Sequence, residues 1–257
     1  MFELFLAELR RQWIQFRRYP IEAIADIFVY ASVFYGLFLS SRYIAGSAFQ
    51  LGERLDSIII GYVLWTLVTF ILQNLAGELQ QEAQTGTLEQ VFLSQYGAIK
   101  VFLMRTLADL LIQTLEILGI LLIIMAITGS RLNFPPTLLL PFVTVVLGAN
   151  GFAFAMGSLA LLFKRIQQLI ALSEFPFLFL LTTPTETWTG PAKILAQLLP
   201  MSPGAGLLRD LMARGESLNL TKLGIAVMNG AVYFTIGLLL FHLAERAAKR
   251  RGMLSGY

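Results

Sequence analysis

Cysteine is absent from the 257 residues and histidine occurs once, at His242. Without thiols there is no disulfide, thiolate metal site or thiol nucleophile. A single imidazole cannot build the usual metal sites or a nucleophile–base–acid triad, so no metal centre is expected. No glycine is followed by lysine, so the G-x-x-x-x-G-K-[ST] loop that cradles nucleotide phosphates is missing. Charge is scarce as well. Asp, Glu, Lys and Arg make up 14% of the chain, its net charge is +3, and the basic residues sit at the ends of apolar runs rather than in a stripe. That pattern gives no footprint for nucleic acid. No polar block is long enough to bury a core of its own, which argues for one domain over 1–257.

What is abundant is apolar. Hydrophobic residues make up 56% of the chain and its mean hydropathy is +0.71, far above an ordinary soluble domain, with several runs near the ~20 residues that cross a bilayer. The reading is an all-α membrane protein with six spans, at about 21–40, 58–76, 106–127, 138–163, 166–183 and 223–243.

Ahead of the first span, Phe2, Phe5, Leu6, Leu9, Trp13 and Phe16 fall on one helical face, and Arg10, Arg11, Arg17 and Arg18 lie away from it. This spacing predicts an interfacial helix over 2–18, ended by Pro20. A cleaved leader is the competing reading, against which stand the later spans and the acids Glu22 and Asp26. Gly129, Arg131, Asn133, Pro135 and Pro136 mark a tight turn, so the third and fourth spans are expected to form a hairpin. Ala149, Ala153 and Gly157, four apart, predict a close helix–helix contact. The fifth span is short and holds Glu174 and Pro176. In 184–221, prolines separate short helical pieces, which are either re-entrant helices or an ordinary amphipathic loop.

Orientation follows from the basic residues. With both termini inside, the inner face carries twelve of the 19, including Arg10, Arg17, Lys100, Arg105, Lys164, Arg165, Lys249 and Arg251, against seven outside. Both termini are therefore expected on the cytoplasmic side of the cell (inner) membrane, together with the polar segment 78–96.

That segment, ELQQEAQTGTLEQVFLSQY, is too polar to cross a bilayer. Gly86 is placed to stop the preceding helix, and Thr87 with Gln90 reads as an N-cap and capping box opening a short amphipathic helix. The run EAQTGTLEQVFLS resembles the E-x-x-x-G-T-L-E-x-x-x-x-S pattern of type-2 ABC exporter permeases, which Glu82, Gly86, Thr87, Leu88 and Glu89 match. LPMSPGAGLLRDLMARG at 199–215 is similar to the Pro-containing segment before that family's last span.

The resemblance implies a six-span half-transporter with a coupling helix in 78–96 and two short re-entrant helices on the extracellular side. It implies pairing with a second permease copy, expected to be identical, and with two ABC ATPase subunits, which would hold ATP and Mg while this chain binds no cofactor. Leu88, Val91 and Phe92 would then supply apolar contact to the ATPase, and Glu82 and Glu89 would pair with basic residues there. The passenger would be an amphipathic or lipid-linked compound moved outward, and the chain itself would not be an enzyme.

Acids inside a membrane are costly and mark candidate paths. Asp109, Gln113 and Glu116 share one face of the third span at i, i+4 and i+7, with Glu174 on the fifth. They are either a translocation path or groups packed at headgroup depth, with Arg105 as Asp109's partner and Lys164 or Arg165 as Glu174's. A second functional reading is an ion- or proton-coupled carrier using Asp109, Glu116 and Glu174, against which stand the missing inverted repeat and the absence of mid-span cations.

Overall fold

The computed structural model describes residues 2–45, 52–163 and 166–250. Met1, positions 46–51, Lys164, Arg165 and positions 251–257 lie outside them. The described residues form ten α-helices: α1 Phe2–Arg18, α2 Pro20–Ala45, α3 Gly52–Thr85, α4 Leu88–Leu93, α5 Ala98–Thr128, α6 Leu139–Leu162, α7 Gln167–Thr182, α8 Pro191–Leu198, α9 Ser202–Met212 and α10 Leu220–Arg250. No strand occurs among them.

Five helices, α2, α3, α5, α6 and α10, are long and apolar enough to cross a membrane, and α7 is a shorter apolar helix of 16 residues. With this pattern the chain is a multi-pass membrane protein. The long helices outrun the predicted spans. α3 has 34 residues, about 50 Å at 1.5 Å per residue, against a hydrocarbon core of about 30 Å. Its polar end, Glu78–Thr85, is therefore carried beyond the bilayer as the same helix.

α3 is the centre of the fold. In its most apolar stretch 78% of residues are buried, against 22% for α2, 28% for α5 and 17% for α10. Ile59, Leu67, Val68, Leu72, Leu75 and Ala76 are at most 1% exposed. α5, α6, α7 and α9 all lean on it, while α1 and α2 pack on α5. The hairpin expected of the third and fourth spans does not form. α5 and α6 lie against α3 rather than against each other, because the ten-residue step from Gly129 to Leu138, with Pro135 extended, is long enough to reach past that helix.

The small-residue face of α6 does pack closely, chiefly against α10. A Cβ on Gly237 would lie 2.0 Å from the Gly151 carbonyl oxygen, and one on Gly151 would lie 2.3 Å from that of Tyr233. Only hydrogen at both positions allows this approach. Ala149 and Ala153 are fully buried, and Gly157 faces Leu79 and Phe241.

α7 ends where a buried guanidinium receives it. Arg209 of α9 is 0% exposed. It donates to the carbonyls of Leu181 (2.6 Å) and Thr183 (3.1 Å) and makes two bonds to Glu186 (3.0 and 2.7 Å). A cation thus satisfies the carbonyls that a helix C-terminus leaves open. Burial pushes the Glu186 carboxyl up, but its bonds to Arg209 and the charge of that group outweigh burial and hold it below the usual glutamate range.

Candidate functional site

Two groups of candidate side chains lie along α5 and the ends of its neighbours. The first is the turn between α3 and α5. α3 stops at Thr85 because Gly86 takes φ +72°, a left-handed turn that glycine adopts without strain. Thr87 heads α4, but no side-chain cap bond forms. Thr87 lies in the α region (φ −88°, ψ −10°) rather than extended, so its hydroxyl does not reach the third amide of the helix. The hydroxyl donates to the Glu82 carboxylate instead.

Glu82 in turn accepts from Arg105 Nη1 at 2.7 Å, and Arg105 Nε donates to Glu8 Oε1 at 3.1 Å. Arg11 closes the network through Glu8 (3.0 Å) and Glu78 (2.8 Å). One arginine therefore ties α1, the end of α3 and the α4 turn to α5. Arg105 was expected to face Asp109, one turn along its own helix. The carboxylates that other helices bring to it take its donors instead.

α4 is seated by two of its apolar residues. Leu88 is 2% and Phe92 5% exposed, Val91 is half-buried, and Phe92 also carries Lys249 over its ring at 5.3 Å. Leu88 and Phe92, expected to meet another protein, thus face this chain's own core. Only with this inward face does a six-residue helix outside the bilayer gain enough burial to stay ordered, about 1.5–3 kcal/mol for each large side chain. Glu89, Gln90 and Leu93 remain outward, Leu93 being 75% exposed.

The second group is a cavity of about 210 Å³ between α1, α2, α3 and α5. Asp109, Gln113 and Glu116 line it together, as their spacing on one face predicts. Glu22 and Asp26 join them from the first turns of α2, and Asn74 from α3. Asp109 is 6% exposed and its Oδ1 has no hydrogen-bond partner. Glu174 does not line this cavity. Its carboxylate accepts from Gln73 Nε2 at 2.7 Å, and its carbonyl from Trp65 Nε1 at 2.9 Å. Its expected partners, Lys164 and Arg165, lie outside the described residues.

Sequence reasoning missed Glu8, Arg11 and Glu78 as members of the first group and assigned Glu22 and Asp26 either to interfacial water or to Arg17 and Arg18. A signal existed for Glu8, which stands one turn from Phe5 and Gln12 on the packed face of α1. Among the described residues no group of three or more His, Cys, Asp or Glu is arranged to hold a metal ion.

A family model described as ABC-2 type transporter matches residues 3–213. No curated protein matches the chain.

Proposed function

The chain belongs to the ABC-2 type transporter family, and from that premise we propose that it is the permease subunit of an ATP-driven exporter, energised by two ABC ATPase subunits and completed by a second, identical permease copy. In this reading the whole chain, 1–257, is one permease domain, α7 is the short fifth of six spans, and α8 and α9 are re-entrant from the extracellular side. Both termini and α4 are cytoplasmic at the cell (inner) membrane. ATP and Mg belong to the ATPase, and this chain supplies no nucleotide site. The family match gives no support to the alternative of an ion-coupled carrier.

The observation that carries the reading is the seating of α4. A short helix hangs on the Gly86 turn, fastened from behind by Leu88 and Phe92 and through Glu82 and Thr87 to Arg105, and offers Glu89, Gln90 and Leu93 outward. A helix held in this way transmits displacement rather than absorbing it. Closure of the ATPase pair would push α4, and the Arg105 network would pass the push to α1 and α5, two walls of the acidic cavity. Of the residues expected at the ATPase, Glu89 and the half-buried Val91 retain access, Leu88 and Phe92 support the helix, and Gly86, Thr87 and Glu82 set its angle. Asp109, Gln113 and Glu116 are the proposed contact with an amphipathic passenger, and Glu174 is a positioning residue beside the path.

The chain has no native cysteine, so one test is a single cysteine at Leu93, purified in mild detergent from its own membranes. The expected result is a co-purifying ATPase that crosslinks at Leu93. A chain that purifies alone and couples to no ATPase overturns the proposal.

A further inference from the structure

We infer that the cavity between α1, α2, α3 and α5 is a binding site for the ammonium headgroup of a cationic amphiphile. As a statement about the passenger this deepens the permease reading and rests on it; as a statement about binding it stands on the geometry alone.

The site carries carboxylates from two helices, Glu22 and Asp26 on α2 and Asp109 and Glu116 on α5, and among the described residues no lysine or arginine lines it. An acidic cluster alone would be a solvated surface. Here one member is not solvated: Asp109 is 94% buried by its 6% exposure, it lines the cavity, and its Oδ1 meets neither donor nor water-accessible surface. Arg105, one turn away, gives its hydrogen bonds to Glu8 and Glu82. A buried carboxylate oxygen without a partner costs free energy unless a donor or cation arrives. Gln113, 7% exposed, turns an amide into the same space.

The chemical class follows from what surrounds these groups. Among the described residues no three acids converge as a metal would require, so the charge they favour is spread over a larger cation. Phe16 and Phe70 line the wall, and aromatic faces attract ammonium groups. The ring of Tyr19, also at the wall, already has Arg18 over it at 5.7 Å, so it adds less. The volume of about 210 Å³ is below the range of about 300–1,000 Å³ that encloses a drug-sized molecule. It takes a headgroup and leaves an alkyl tail outside. Glu22 and Asp26 are themselves exposed at the start of α2, so the mouth lies at the elbow where the amphipathic α1 gives way to that helix.

The test uses the full chain in a nonionic maltoside detergent and labelled dodecyltrimethylammonium as probe. The expected result is saturable binding at one site per chain, weakened at least about tenfold by Asp109→Asn and by Glu116→Gln, with Glu3→Gln, an acid outside the cavity, unchanged. Asp109→Asn should melt no lower than the parent, because its Oδ1 makes no hydrogen bond that the change would break; Glu116→Gln reads the site independently of that variant. Weak competition by dodecylphosphocholine supports the assignment to a net cationic amphiphile, and competition as effective as unlabelled probe assigns the site to a zwitterionic phospholipid headgroup and overturns it. Absence of saturable binding, equal displacement by dodecyl sulfate, or unchanged affinity in both acid variants overturns the inference. The assay needs no ATPase, so binding without a coupled ATPase would sink only the permease reading, and an ATPase coupled to a chain that binds no probe would sink only this one.

Discussion

Replacing Arg209 by methionine tests how α7 is anchored. Methionine keeps the unbranched stem and removes the guanidinium, so the packing lost is small and the polar loss dominates. Four hydrogen bonds disappear. The carbonyls of Leu181 and Thr183 lose their donor inside the protein, and Glu186 loses a two-bond partner. Breaking a buried ion pair by removing one member costs about 3–5 kcal/mol. Glu186 still accepts from Arg214 at 2.9 Å, which puts the expected loss in the lower part of that range, about 3–4 kcal/mol. At about 2–4 °C per kcal/mol for a chain of this size, the melting temperature in detergent should fall by about 6–16 °C. Arg214→Met is the internal comparison: its partners Glu186 and Asp210 keep Arg209 and Lys222, so no buried carboxylate is left unpaired and the loss should be smaller, about 1–2 kcal/mol. Intrinsic fluorescence is a suitable readout, since Trp188 follows Glu186 closely on the same turn. If Arg209→Met melts within about 2 °C of the parent, the guanidinium is not what holds α7, and the argument from buried carbonyls fails.

Three further outcomes are expected. Gly237→Val should separate α10 from α6 and cost about 3 kcal/mol, because the new Cβ meets the Gly151 carbonyl at 2.0 Å, a backbone atom that cannot turn away; thermal unfolding would detect it, and an unshifted melt would refute the close crossing. Arg105→Gln removes the bonds to Glu8 and Glu82, so the ratio of transport to ATP hydrolysis should fall several-fold while the chain still inserts and recruits its ATPase, and an unchanged ratio would remove Arg105 from the coupling route. Acid should destabilise the α7–α9 region: the Glu186 carboxyl titrates below its ordinary value of 4.5, so its contribution is complete above that value and is lost as pH falls through the lowered one. The melting temperature should drop on going to about pH 3, and by less in Arg209→Met, with equal drops in both proteins counting against the assignment.

Local features were the legible part of this chain. Gly86 ended α3 where a residue tolerant of positive φ was expected, Pro20 began α2, and Ala149, Ala153 and Gly157 packed as a small-residue face. Asp109, Gln113 and Glu116 converged on one cavity because helical periodicity alone puts them on one face. Partner choice was not legible. Arg105 turned to Glu8, distant in sequence, rather than to Asp109 beside it, and Thr87 bonded Glu82 rather than its own helix. Leu88 and Phe92 have the composition of a docking face, and sequence cannot say whether the body they dock on is another protein or their own.

The amino-acid order by itself determined that this is a helical membrane protein, that helices break at Pro20 and Gly86, and where its polar turn lies, since these follow from residue-level hydropathy, φ preference and periodicity. The tertiary structure alone decided that α3 is the centre, that α5 and α6 part around it, that Arg209 disappears into the core, and that acids on α2 and α5 share one cavity. Those outcomes depend on which helix faces meet across the chain, a competition among many similar apolar surfaces that is settled by close packing and by the pairing of a few buried charges.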